Sequence, residues 1–181
     1  MTLTPSLRKL ALTVHVTSSV GWLGAVGAFL ALGIAGLTSD DAQKIRCADL
    51  AMALTAWLVI VPLCFASLLT GLVSSLATPW GLLRHYWVLV KLLLTIPATL
   101  VLLVHMQPIS FLADATLKAK LTLPGVDLHG LRIQLVAATA AALLVLLVLT
   151  TLSIYKPRGM TPYGWRRQRE QRMRVPPMEA E

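Results

Sequence analysis

Residues 80–106 read WGLLRHYWVLVKLLLTIPATLVLLVHM, from Trp80 to Met106. The stretch is long enough to cross a bilayer, which takes about 20 apolar residues in a helix, yet it carries Arg84, His85, Lys91 and His105. An ionisable side chain inside a membrane is costly unless it finds a partner or reaches the interface. Lys91 is therefore the first candidate for function. The other apolar runs on either side of it are free of formal charge away from their ends.

The whole chain shares this character. Its 181 residues are 56% hydrophobic and only 13% charged, with mean hydropathy +0.74, whereas about a quarter of the residues of a soluble domain are charged. These values predict an all-α integral membrane protein. Cys47 and Cys64 form no CxxC pair and no larger cysteine framework, so no structural disulfide is expected. Near the N-terminus, Arg8 and Lys9 precede an apolar run from Leu10 to about Thr38. That run is far longer than the roughly 7–15 residues of a secretory h-region, and it reads as a retained first helix.

The spans follow in order. Thr4-Pro5-Ser6 opens the first, over about 6–37, with Thr4 as a cap and Pro5 in the first turn. Its centre, GWLGAVGAFLALGIAG, offers Gly21, Gly24, Gly27, Ala25 and Ala28 as a face for close helix packing. Thr38–Asp49 reads as a polar loop and 50–77 as a second span, in which Pro62 removes a backbone hydrogen bond and predicts a kink. Thr78-Pro79 leads into the third span, about 82–106, which contains Pro97. Phe111, Leu112, Ala115 and Ala119 then suit a short surface helix before the break at Leu123-Pro124-Gly125. With Asp127 as a cap, the fourth span covers 128–155. Residues 1–155 thus form a membrane four-helix bundle, and residues 156–181 form a basic tail.

Charge sets the orientation. With the N-terminus inside, the inner face holds eleven basic and three acidic residues and the outer face holds five of each, so the entire net charge of +8 falls on one side. The positive-inside rule then places both termini in the cytoplasm, in a multi-pass protein of the plasma (cytoplasmic) membrane of a cell. In the tail, Lys156, Arg158, Trp165, Arg166 and Arg167 interleave basic and aromatic side chains just beyond a span. This pattern suits contact with anionic lipid headgroups, and nucleic acid is not expected as a partner.

His15 and Lys91 each fall about 14 Å along helices that start from the cytoplasmic face, so the two can share one level of the bundle. Trp22 stands two turns beyond His15, with Thr17, Ser18 and Ser19 between. No Asp or Glu falls inside any expected span, so an inward-facing Lys91 calls for an anionic ligand: a haem propionate, a quinone or semiquinone oxygen, or a lipid phosphate. An outward-facing Lys91 would snorkel to the interface. An imidazole at mid-depth suits axial ligation of haem b, and equally a structural hydrogen bond to a neighbouring helix. As a second axial ligand His85 needs an axial shift of roughly 9 Å, and His105 lies too far away. On the outer side Cys47, Met52, His105, Met106 and His129 supply sulfur and imidazole, donors that suit Cu(I). No GxSxG, HExxH or intramembrane Asp pair is present, so nucleophilic or zinc-dependent hydrolysis has no support.

HVTSSVGWLGAVGAFLAL, HYWVLVKLLLTIPATLVLLVH and YKPRGMTPYGWRRQ together resemble a family of uncharacterised bacterial four-span integral membrane proteins. More distantly, the His15, Trp22-x-Gly24 and Lys91 arrangement, with His105 beyond it, is similar to two better-understood groups. These are the membrane domain of copper-resistance D proteins, implicated in copper uptake, and the small membrane protoporphyrinogen oxidase, which binds haem b. The resemblance implies His15, Trp22, Gly24 and Lys91 as functional positions, with His105 beyond them; together with His85 from the helix count, the candidate cofactor set is His15, Trp22, Gly24, His85 and Lys91. After Gly24 the chain continues Ala25-Val26-Gly27-Ala28, where the oxidase has an aromatic and basic run. The functional expectation is a haem-b or redox-associated membrane protein, with outer-face copper handling or an accessory role in a homo-oligomer or larger complex as alternatives.

Overall fold

The computed structural model describes residues 4–76, 86–118, 127–155, 159 and 161–174. These are helical, with no strand among the described residues: α1 Pro5–Thr38, α2 Ala42–Thr55, α3 Val61–Leu76, α4 Tyr86–Leu117, α5 Leu128–Tyr155 and α6 Pro162–Arg174. A π-helical turn, Ala56–Ile60, joins α2 to α3 without a break, so Ala42–Leu76 is a single 35-residue rod. With α1, α4 and α5 it makes four helices long and apolar enough to cross a membrane.

Local chemistry explains the helix starts. Thr4 accepts a hydrogen bond from the Leu7 N–H, with Pro5 in the first turn. The Asp41 carboxylate accepts from Gln43 N–H at 2.8 Å, and Asp127 does the same for Gly130 N–H at 2.9 Å. The π-helical turn lies immediately ahead of Pro62, whose ring cannot donate to the preceding turn; the extra residue re-spaces the carbonyls there.

Adjacent helices run antiparallel. α1 packs along both α2 and α3 on one side and α5 on the other, while α4 packs against α2 and α5 and lies diagonally across from α1. The core comprises Trp22, Val26 and Phe29 of α1, Met52, Ala56, Ile60 and Cys64 of the second rod, Met106, Ile109 and Leu112 of α4, and Leu128, Leu135, Leu146 and Leu149 of α5. The four rods have 34, 35, 32 and 28 residues, or about 42–52 Å each at 1.5 Å per residue, against a hydrocarbon core of about 30 Å. They protrude or tilt.

Two stretches expected to lie outside the spans, a polar loop and a segment with a short surface helix, extend these rods. Residues 42–49 belong to α2 rather than to a loop, and α4 continues through Pro108 to Leu117 instead of ending at Met106. Tertiary packing is the reason. Ala48 and Asp49 are buried against α1 and α4, and Ile109, Leu112, Ala113, Ala115 and Thr116 form the matching buried face of α4. Asp49 thus lies inside the helical rod, 2% exposed, where its carboxylate binds Arg132 of α5 at 2.7 Å and accepts from the Thr116 hydroxyl at 2.8 Å.

The glycines of α1 divide by direction. A Cβ on Gly21 would stand 3.2 Å from Leu63, one on Gly33 3.0 Å from Val136, and one on Gly36 3.2 Å from Ala48, whereas Gly24 and Gly27 face open space. The close-packed face therefore runs through Gly21, Gly33 and Gly36, and Gly24 and Gly27 do not share it. At 100° per residue, Gly27 lies about 180° from Gly36, and Gly24 about 180° from Gly33.

Candidate functional site

The site lies at the end of the bundle where Pro5, Leu76, Tyr86 and Tyr155 come together, here called the terminal end. On α3, Ser67, Thr70, Gly71 and Ser74 follow i, i+3, i+4, i+7 and make one polar stripe. On α1, His15 and Ser19 form the facing pair. The Ser19 and Ser67 hydroxyls meet at 2.7 Å, and His15 Nδ1 lies 3.1 Å from the Ser67 carbonyl oxygen and 3.2 Å from Thr70 Oγ1.

These contacts define the neutral tautomer of His15. A carbonyl oxygen only accepts, so Nδ1 carries the proton and donates it. The Thr70 hydroxyl donates its own hydrogen to the Ala66 carbonyl, which leaves its oxygen to accept from His15 as well. Nε2 retains its lone pair, and among the described residues no partner takes it up. Metal-ligating histidines are commonly held this way, with the far nitrogen donating to a carbonyl and the near one free to ligate.

Gly71 makes the arrangement possible. A methyl group there would stand 2.9 Å from His15 Cε1 and 3.4 Å from Nδ1, so a Cβ at this position would require the ring to shift. One turn further on, Ser74 Oγ is buried with no hydrogen-bond partner among the described residues. A hydroxyl left unsatisfied in an apolar bundle marks a place for a water or a ligand oxygen.

Lys91, half-buried on α4, donates to Ser153 Oγ of α5 at 2.6 Å, and Ser153 in turn donates to the Leu149 carbonyl. Its level follows from the neighbouring contact of Cys64 Sγ with Thr99 Oγ1, 3.3 Å apart. In antiparallel register from that pair, Lys91 comes level with Leu72, beside the Gly71 on which His15 rests. Meanwhile α3 and α4 touch only sparsely, although the α2 portion of the same rod packs closely on α4. The bundle is tight at the far end and looser between α3 and α4 at the level of His15 and Lys91.

The other sequence candidates are dispersed. Trp22 is buried in the core, and Gly24 is exposed, with no packing neighbour within 4 Å of where a Cβ would stand. His85, Lys156 and Arg158 lie outside the described residues, as does the side chain of Arg167. Of the sulfur and imidazole set, Met52 and Met106 are core residues, Cys47 and His129 are exposed, and His105 Nδ1 is bonded at 2.8 Å to the Val101 carbonyl of its own helix. No three His, Cys, Asp or Glu side chains converge as metal ligands among the described residues. Trp165 and Arg166 are exposed on α6. Sequence reasoning missed Gly71, Ser67, Thr70, Ser74 and Ser153; the only available signal was the small-and-hydroxyl spacing SLLTGLVSS, which reads equally well as ordinary helix packing.

Compared with protein-family models, curated proteins and solved structures, the chain matches none.

Proposed function

We propose that this small polytopic membrane protein binds haem b at the terminal end of its bundle, with His15 Nε2 as axial ligand and Lys91 facing an anionic group of the cofactor such as a propionate. The single observation that carries the reading is the hydrogen bond from His15 Nδ1 to the Ser67 carbonyl, which leaves Nε2 with its lone pair. The orphaned Ser74 hydroxyl and the sparse α3–α4 contact support it. Bound haem would supply one-electron chemistry at the iron. The chain's own contribution is to hold the imidazole through Ser67 and Thr70, to leave room at Gly71, and to place a cation level with the ring. His105 is not a second ligand in this reading, since it lies 14 residues beyond Lys91 on α4, roughly 21 Å further along the helix.

The orientation belongs to the same proposal. Both termini are cytoplasmic in the plasma membrane, because the net charge of +8 collects on the terminal side. The site then lies in the inner half of the bilayer. Titration of detergent-purified apoprotein with haemin tests the reading. One equivalent should saturate a Soret change that His15→Ala lacks, and an identical response from both proteins would refute it.

A second reading, as an accessory subunit of a larger complex, is favoured by the open faces of Gly24 and Gly27 on α1. Helices in lipid associate through such small residues. Recovery of a stoichiometric partner in mild detergent, lost on Gly24→Leu, would support it.

A further inference from the structure

α6 is strongly basic: Pro162–Arg174 contains five arginines and one glutamate. Its start is fixed to the bundle. The Tyr86 N–H at the head of α4 donates to the Gly159 carbonyl at 3.4 Å, and the buried Thr161 caps α6 by accepting from Gly164 N–H at 3.1 Å. Gly164 is buried as well, so this side of α6 lies against the protein. Trp165, Arg169 and Met173, at i, i+4 and i+8, share another face and are exposed, Trp165 at 59% and Met173 at 78%.

The level of this helix in the membrane follows from its anchor. Tyr86 and Tyr155 are both exposed at the terminal end of apolar rods, where aromatic side chains belong at the headgroup level. A helix that begins three residues after Gly159, whose carbonyl is bonded to Tyr86, starts close to that level. There a face combining Trp165 and Met173 with Arg166 and Arg169 meets two chemistries at once, apolar acyl chain and phosphate. A cytosolic protein partner would not need α6 pinned at this depth, and nucleic acid would leave Met173 without a role.

We infer that α6 is an interfacial helix that docks on the anionic lipid headgroups of the leaflet at the terminal end, inserting Trp165 and Met173 between them while its arginines bind the phosphates. Each arginine removed should lower the docked-to-undocked ratio about fivefold. The inference stands apart from haem binding, which involves none of these residues.

The test uses the full chain in nanodiscs of phosphatidylcholine, alone or mixed with phosphatidylglycerol, with brominated acyl chains as fluorescence quenchers. Subtracting the Trp165→Phe signal from that of the unaltered protein isolates Trp165 from the other four tryptophans. Trp165 should be quenched in the anionic bilayer, with the quenching lost at high salt and in Arg166→Gln/Arg169→Gln. Circular dichroism and gel filtration verify that this variant remains folded. Equal quenching in neutral and anionic bilayers, or none in either, would overturn the inference. So would protection of Trp165 by short RNA but not by anionic lipid.

Discussion

The imidazole of His15 rests on Gly71 so closely that a methyl group at the glycine would stand 2.9 Å from Cε1. The contact joins α1 to α3 and presents Nδ1 to the Ser67 carbonyl, 52 residues away in sequence. It is therefore a positioning device for the ring, and it can be broken without touching the ring itself.

Gly71→Ala should displace the imidazole and lower haem affinity by about 10–100-fold, the usual cost of losing a group that orients a metal ligand. The overpacking should cost about 1–3 kcal/mol of stability. Haemin titration with a parallel thermal melt measures both. Gly24→Ala is the control, because nothing lies within 4 Å of that position and neither quantity should change.

Lys91→Met should weaken binding of haem b while leaving binding of the dimethyl ester, which lacks free propionates, nearly unaffected. Lys91→Arg should retain most of the affinity, since it keeps the charge. Equal losses for acid and ester would show that Lys91 acts through packing with Ser153 and not through an anionic group.

The buried pair of Asp49 and Arg132 makes a separate stability prediction. Asp49→Ala or Arg132→Ala alone leaves an uncompensated buried charge and should destabilise by about 3–5 kcal/mol. Asp49→Leu with Arg132→Met should recover most of that loss, because two well-packed apolar side chains avoid the desolvation of both ions. Thr116→Val should cost about 1 kcal/mol or somewhat more, for its hydrogen bond to the charged Asp49. Unfolding in detergent followed by circular dichroism would rank the four proteins.

The sequence makes the four apolar helices legible, because run length and charge depletion are local quantities. The distorted turn before Pro62 is foreshadowed for the same reason. Asp49 is different: its partner Arg132 lies 83 residues away, and a short polar segment looks like a loop until α4 is known to pack against it. The continuation of α4 past Pro108 depends on that same packing. In the site, the common level of His15 and Lys91 could be counted along the helices from the sequence alone. Gly71 and the hydroxyls around it could not be found, since a glycine beside a serine in an apolar helix looks the same whether it faces lipid or an imidazole. Gly24 and Gly27 illustrate the converse, glycines in a promising pattern that face outward.

The absorption spectrum of the protein purified from haem-replete cells, oxidised and then reduced with dithionite, tests haem ligation by His15 most directly. A Soret band that sharpens on reduction and disappears in His15→Ala, while the variant still elutes as a folded protein, is the result predicted. A colourless protein, or a Soret band unchanged by His15→Ala, would contradict it.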